Sequence, residues 1–254
     1  MRNRERILSA EIDRGGMDDL VHSILVRISK RQSGHICFAN VHMLHLASRD
    51  PDLARALEKA ILVLPDGMPL ARWLSRTGAA QERVEGMSAF PSLLEIAASR
   101  GIPVAFFGAD EGTLHAMRTK AAIELPGLEI VAAIAPEMGE VPFPSDPKSV
   151  GALRESGAQL IFVALGCPKQ ELWMARYADS FPAVMLGVGN AFRTWLGWEN
   201  RPPRWVRRAS LEWMFRLLQD PSRLWKRYLV SNAWFLLHAA RCIFRGYFEA
   251  GGKP

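Results

Sequence analysis

Six short apolar runs alternate with helix-length amphipathic stretches, and that alternation limits the fold more than any other feature of the sequence. The runs cover residues 35–39, 61–64, 104–107, 128–133, 160–165 and 183–188, and most are flanked by Gly, Pro or polar residues. Between them, residues 51–59, 68–75, 88–99, 111–124, 148–156 and 169–178 read as helices. Strands alternating with helices imply βαβ units. The expected fold is therefore α/β: a Rossmann-like, mostly parallel sheet with helices on both faces. Upstream, residues 7–12 read as one short strand and residues 17–29 as an amphipathic helix.

Open parallel sheets bind ligands beyond the carboxyl ends of their strands, so the residues that follow each run are the candidates for a site. They are Asn40, then Pro65-Asp66-Gly67, Gly108-Ala109-Asp110, Gly166-Cys167-Pro168-Lys169-Gln170-Glu171 and Gly187-Val188-Gly189-Asn190. Asp66 follows an apolar strand directly, where a carboxylate can accept a proton from a hydroxyl; the rival reading is a turn aspartate bonded to its own backbone. Residues 166–171 form a strand-to-helix turn whose backbone amides favour a phosphate, with Lys169 adding charge. Gly187-Val188-Gly189 resembles part of a dinucleotide fingerprint. Its third glycine is missing at Phe192, which gives a Rossmann dehydrogenase little support.

The chain's positive charge is concentrated at its end. From Asn200 onward there are eleven bases and three acids, a net +8 in a chain whose total is +6, so the first 199 residues sum to −2. Tryptophans and long apolar residues interleave with those bases, unlike a solvated disordered arm. Arg204, Arg208, Glu212 and Arg216 recur every four residues as a charged stripe while Leu211, Met214, Phe215 and Leu218 fill another face, a helix expected to end at Gln219. A second helix is expected to begin with Asp220 as cap and Pro221 at its first position, carrying Arg223, Lys226 and Arg227. Residues 228–244 are largely apolar but interrupted by Ser231, Asn232, His238 and Arg241. That is poorly suited to spanning a bilayer and better suited to lying in a membrane interface. The rival reading is a helical pair packed on the core with a solvated basic face. The expected division is an α/β core at 1–199 and a basic helical appendage at 200–254.

Composition excludes little else. Hydrophobic content of 49% and charged content of 23% are those of an ordinary folded protein. Cys37, Cys167 and Cys242 are few and scattered, which indicates neither a disulfide framework nor a zinc site. Asp50-Pro51-Asp52 has a carboxylate spacing found in some metal-dependent sugar transferases, but Pro51 favours a helix cap. His42 and His45 lack companions for a metal set. Cys167 sits near a helix start without a nearby His or acid, so it reads as a small loop residue rather than a nucleophile. The N-terminus lacks the long apolar core of a signal peptide, and a cytoplasmic location is expected. There is no internal repeat, and residues 142–147 form a proline-rich loop.

With these residues assembled, the chain resembles the bacterial WecG/TagA/CpsF family of glycosyltransferases over residues 36–228. The resemblance is carried by Ala39-Asn40-Val41-His42-Met43, Leu64-Pro65-Asp66-Gly67-Met68-Pro69-Leu70, Arg83-Val84-Glu85-Gly86, Gly166-Cys167-Pro168-Lys169-Gln170-Glu171 and Gly187-Val188-Gly189, with Leu211-Glu212-Trp213 inside the basic tail. It implies transfer of a sugar, commonly of N-acetylmannosamine type, from a UDP-sugar to a lipid-diphosphate-linked saccharide at the inner membrane face, with inversion and without a metal or other cofactor. It also implies Asp66 as general base beside Asn40, Gln170 on the nucleotide side, and Arg216, Arg223 and Lys226 as basic residues that the appendage folds over the site; Arg227 lies beside them. Gly108, Gly166, Lys169, Gly187, Gly189 and Asn190 complete the expected binding rim. Phe38 stands where the family often has threonine, Arg193 where it often has aspartate, and Ile134-Ala135-Pro136-Glu137-Met138 where it often has Tyr-Ser-Pro-Pro-Phe. These departures bear on donor or acceptor choice. An anionic membrane surface is a further expected partner, nucleic acid is not, and a homo-oligomer is left open. Two rivals stay in view: a nucleic-acid-binding protein using the tail as an electrostatic footprint, and a catalytically silent, membrane-bound scaffold of the same family.

Overall fold

The computed structural model describes residues 3–137, 147–200, 202–203, 206 and 211–251, with the side chains of Arg223 and of residues 243–251 outside the description. Arg201, Arg204, Arg208, Met138 and residues 142–146 of the proline-rich loop lie outside the described residues.

The apolar runs form the strands β3 (Gly34–Ala39), β4 (Leu62–Pro65), β5 (Val104–Gly108), β6 (Ile130–Ile134), β7 (Leu160–Ala164) and β8 (Val184–Gly187). They pair in parallel in the order β4-β3-β8-β7-β5-β6. Successive residues of each strand point to opposite faces, and both faces are apolar. Ile36, Phe38, Val104, Phe106, Leu160, Phe162, Val184 and Leu186 are buried on one side. Cys37, Ala39, Ala105, Phe107, Ile161, Val163 and Met185 are buried on the other.

The first face is covered by α1 (Met17–Ser29), α5 (Gly86–Arg100), α6 (Glu111–Glu124) and α9 (Ala191–Trp195). Its centre is aromatic: Phe90 meets Phe162 edge-on at 4.9 Å and packs against Phe106 and Phe192. The second face is covered by α2 (Val41–Ala47), α3 (Pro51–Lys59), α4 (Met68–Thr77), α7 (Pro147–Glu155) and α8 (Lys169–Tyr177). There Trp173 of α8 stacks on Phe107 at 4.1 Å. Asp50 caps α3 by accepting from the Asp52 and Leu53 amides, and Asp52 pairs with Arg55, so each carboxylate of that motif has a partner within the chain.

Residues 7–12 differ from expectation. They form a hairpin, β1 (Arg4–Ile7) and β2 (Ala10–Asp13), turned through Leu8 at φ 54°. Asp13 fixes the hairpin to the sheet edge: it is bonded to Arg4 at 3.0 Å and accepts from the Val63 amide at 2.7 Å.

The tail forms α10 (Glu212–Gln219) and α11 (Pro221–Gly251). The break at Asp220-Pro221 falls where expected. Beyond it, however, there is one continuous helix rather than a short helix followed by a separate amphipathic one. Helix α11 docks on α2: His42 Nδ1 meets Ser231 Oγ at 3.0 Å, His45 and Trp234 are edge-to-face at 5.4 Å, and Phe235 and Ala239 are buried. Burial and the nearby Arg227 push the His42 pKa down to about 4, so this contact is between neutral groups near pH 7.

Candidate active site

The carboxyl ends of β3, β4, β5, β7 and β8 open into a cavity of about 1040 Å³, and α10 with the first turns of α11 forms its far wall. Asp66 lies on the floor, placed by backbone bonds from its own amide to the Ala39 carbonyl (2.8 Å) and from the Val84 amide to the Pro65 carbonyl (3.1 Å). Burial raises its pKa to about 6, against the opposing pull of Arg216 and Arg83; Glu212 adds to the rise, and a hydrogen bond from Asn40 lowers it. Asn40 is also the cap of α2: its Oδ1 accepts from the Met43 amide at 3.1 Å. With the oxygen so engaged, the amide nitrogen is the end left to face Asp66. A half-buried acid titrating near 6, held by a neutral donor and faced by cations, can accept a proton from a hydroxyl at neutral pH.

The opposite rim is built around Gln170 at the start of α8. Its Oε1 accepts from the Gly189 amide at 3.1 Å and its Nε2 donates to Glu171 Oε1 at 2.7 Å. Gln170 lines the cavity, but its amide is engaged at both ends within the protein, so it shapes the Gly187–Asn190 turn. Gly187 lets the turn pass close to both helix side chains: a Cβ there would lie 2.8 Å from Met174 Cε and 2.9 Å from Gln170 Nε2, so one of them would have to shift. Glu171 is fully buried, and desolvation raises its pKa to about 6, opposed by the Gln170 bond, the Cys167 thiol and Arg227. Burial also pushes the Cys167 thiol well up, which leaves it protonated. Asn190 and Arg193 both bond Glu199 at the mouth, where the Arg193 guanidinium lies over the Trp198 ring.

Several expected residues are brought together: Asn40, Asp66, Gly166, Gln170, Gly187, Gly189, Asn190, Arg216 and Arg227 all line the cavity. Others are not. Lys226 is exposed with its ammonium over Trp225, because Asp220, Leu224, Arg227 and Tyr228 form the cavity-facing side of the helix and Lys226 lies opposite. Lys169 precedes Gln170 on α8 and does not reach the lining. Gly108 stays behind the wall formed by Ala109 and Asp110. With φ at +99° and a Cβ position only 2.8 Å from the Ala164 backbone, it lets β5 and β7 approach closely. The Arg223 side chain lies outside the described residues. Phe38 and Arg193, two of the three departures from the family pattern, both line the cavity.

Reading by strand ends missed Arg83 and Glu212. Arg83 pairs with Glu85 and, at 2.9 Å, with Glu212 of α10. Both stood inside recognised motifs, but only the fold sets them beside Asp66. Among the described residues, no group of three or more His, Cys, Asp or Glu is placed to hold a metal ion, and no helix is long and apolar enough to cross a membrane.

A family model described as "Glycosyl transferase WecG/TagA/CpsF family" matches residues 5–248. The chain is similar to a Bacillus spizizenii protein named N-acetylglucosaminyldiphosphoundecaprenol N-acetyl-beta-D-mannosaminyltransferase. The two are 32% identical over 205 residues, which is 80% of this chain and 77% of that protein. A Bacillus subtilis strain 168 protein of the same name is 30% identical over the same shares of each chain.

Proposed function

Because the chain belongs to the glycosyl transferase WecG/TagA/CpsF family, we propose that it moves a hexose, of N-acetylmannosamine type or a relative of it, from a UDP-sugar to a lipid-diphosphate-linked saccharide, with inversion and without a metal. Asp66 takes the proton from an acceptor hydroxyl as that oxygen attacks the anomeric carbon. The bond from that carbon to the diphosphate oxygen breaks, and UDP leaves. Asn40 holds the Asp66 carboxylate in place. Arg216 and Arg227 take up the negative charge that grows on the leaving diphosphate. One buried nitrogen of Arg227, Nε, has no hydrogen-bond partner among the described residues, and an anion in the cavity would supply one.

The observation that carries this reading is the raised pKa of Asp66 on the floor of a cavity walled on its far side by Arg216 and Arg227. The two Bacillus relatives, whose names specify an N-acetylglucosaminyl-diphosphate lipid acceptor, support the acceptor class.

In the same reading, residues 1–199 are the catalytic core and residues 200–254 an appendage that closes the site and meets the membrane carrying the acceptor. One stripe of α11 supports this. Trp225, Leu229, Leu236 and Leu237 are 48%, 64%, 68% and 61% exposed, opposite the buried Ser231, Phe235 and Ala239. Such an apolar stripe on a basic helix suits the interface of an anionic bilayer.

The test incubates the purified chain with a panel of UDP-sugars and a short-chain N-acetylglucosaminyl-diphosphate lipid, with and without EDTA. UDP release and product mass are followed for wild type and Asp66→Asn. A new saccharide from wild type alone, undiminished by EDTA, is expected. Equal turnover by the two proteins removes Asp66 from the mechanism, and no product from any donor overturns the reading.

A further inference from the structure

The geometry points to Glu212 as a positioning residue: held by Arg83, it docks α10 against the core so that Arg216 faces Asp66. This rests on the reading of Asp66 as the base.

The contact joins parts of the chain 129 residues apart. Arg83 Nη2 meets Glu85 Oε1 in the core and Glu212 Oε1 of α10, and the side chains of Arg83, Glu85 and Glu212 are only 12%, 5% and 20% exposed. Glu85 is itself placed at the cap position of α5. An ion pair this shielded, with one cation shared by two carboxylates, is held more tightly than a surface pair. Among the described residues other anchoring between α10 and the core is sparse: no α10 residue is buried, and Trp213, Met214 and Leu218 are exposed. Arg216 lies one helical turn beyond Glu212, with Nη2 3.3 Å from Met87 Sδ, a weak acceptor.

The arrangement sorts the charges around the base. From the segment before α5 come Arg83 and Glu85, from α10 come Glu212 and Arg216, and from the cap of α2 comes the neutral Asn40. Arg83 is occupied by two carboxylates. Arg216 forms no ion pair with a carboxylate among the described residues, which leaves it for an incoming anion. Glu212 thus holds the helix that carries Arg216 while offsetting part of Arg83's pull on Asp66.

Two variants of the full chain separate these effects. In Glu212→Ala the helix keeps its intrinsic propensity but loses the pair. Hydrogen exchange of the amides of residues 212–219 is expected to quicken about tenfold while the sheet stays protected. Unchanged exchange there overturns the docking role. Glu212→Gln keeps an acceptor for Arg83 and removes only the charge. The acid limb of its kcat/KM profile should move to lower pH, which raises activity in the acid range about threefold relative to the variant's own plateau. A limb that stays in place or moves up overturns the coupling to Asp66. The exchange comparison needs no turnover, so it decides the docking role even if no donor is transferred, and that outcome counts against the glycosyltransferase reading instead.

Discussion

Asp66→Asn should cost activity and increase stability, and the two effects come from the same burial. The native fold raises the carboxyl from 3.8 to about 6, a preference for the protonated form of about two units. At 1.36 kcal/mol per unit, ionised Asp66 costs the native state about 3 kcal/mol near pH 8. The sign follows from the raised value: the native state binds this proton more tightly than the unfolded chain. Its contribution is therefore full below about pH 4 and is lost as pH rises through about 6. Asparagine has no such proton, so the stability gap between variant and wild type should open from about pH 4 and level off above about pH 7, near 3 kcal/mol. In melting temperature that is roughly 6–12 °C for a chain of this size. Glu171 also titrates near 6, but it is present in both proteins and cancels in the difference. The assay is urea denaturation of both proteins across that range, paired with UDP release at each pH. Turnover of the variant should fall by about two to four orders of magnitude, the usual contribution of a positioned base. A gap that does not change with pH would refute the burial argument, and a turnover loss under about threefold would refute the catalytic assignment even if the gap behaved as expected.

Gly187→Ala places a methyl group within 3 Å of Gln170 and Met174, so it should cost about 1–3 kcal/mol in denaturant melts and lower kcat with it; a variant as stable and active as wild type would contradict the close approach of α8 and β8. Arg227→Ala should weaken UDP binding roughly tenfold to a hundredfold by calorimetry, the size of a lost charge-assisted bond, with the melting temperature little changed. Wild-type kcat/KM should fall about tenfold per pH unit below about 6 as Asp66 takes up its proton, read as the acid limb of the rate profile. Replacing both Leu229 and Leu237 with Asp should lower flotation with anionic vesicles while leaving UDP binding intact; unchanged flotation would detach that stripe from the membrane.

The core was legible because a strand buried on both faces is written as a continuous apolar run, and six such runs stand between amphipathic segments. The hairpin was not legible, because its turn uses Leu8 at positive φ where a glycine or asparagine would have marked it. Asp66 and Asn40 were found by position at strand ends, which is a property of the backbone path. Gln170 was found by position too, but its engagement with Gly189 depends on how closely α8 meets β8, which no local pattern states. In the tail, Arg216 and Arg227 were separable from Lys226 only through helix phase. Asp220, Leu224, Arg227 and Tyr228 recur at i, i+4, i+7 and i+8 and share the face turned to the cavity, so phase decides which cations face the cavity and net charge does not. The same distinction explains why Arg83 was missed. A cation in a loop carries no phase, and the carboxylates it pairs with are Glu85, two residues on, and Glu212, on a helix far along the chain.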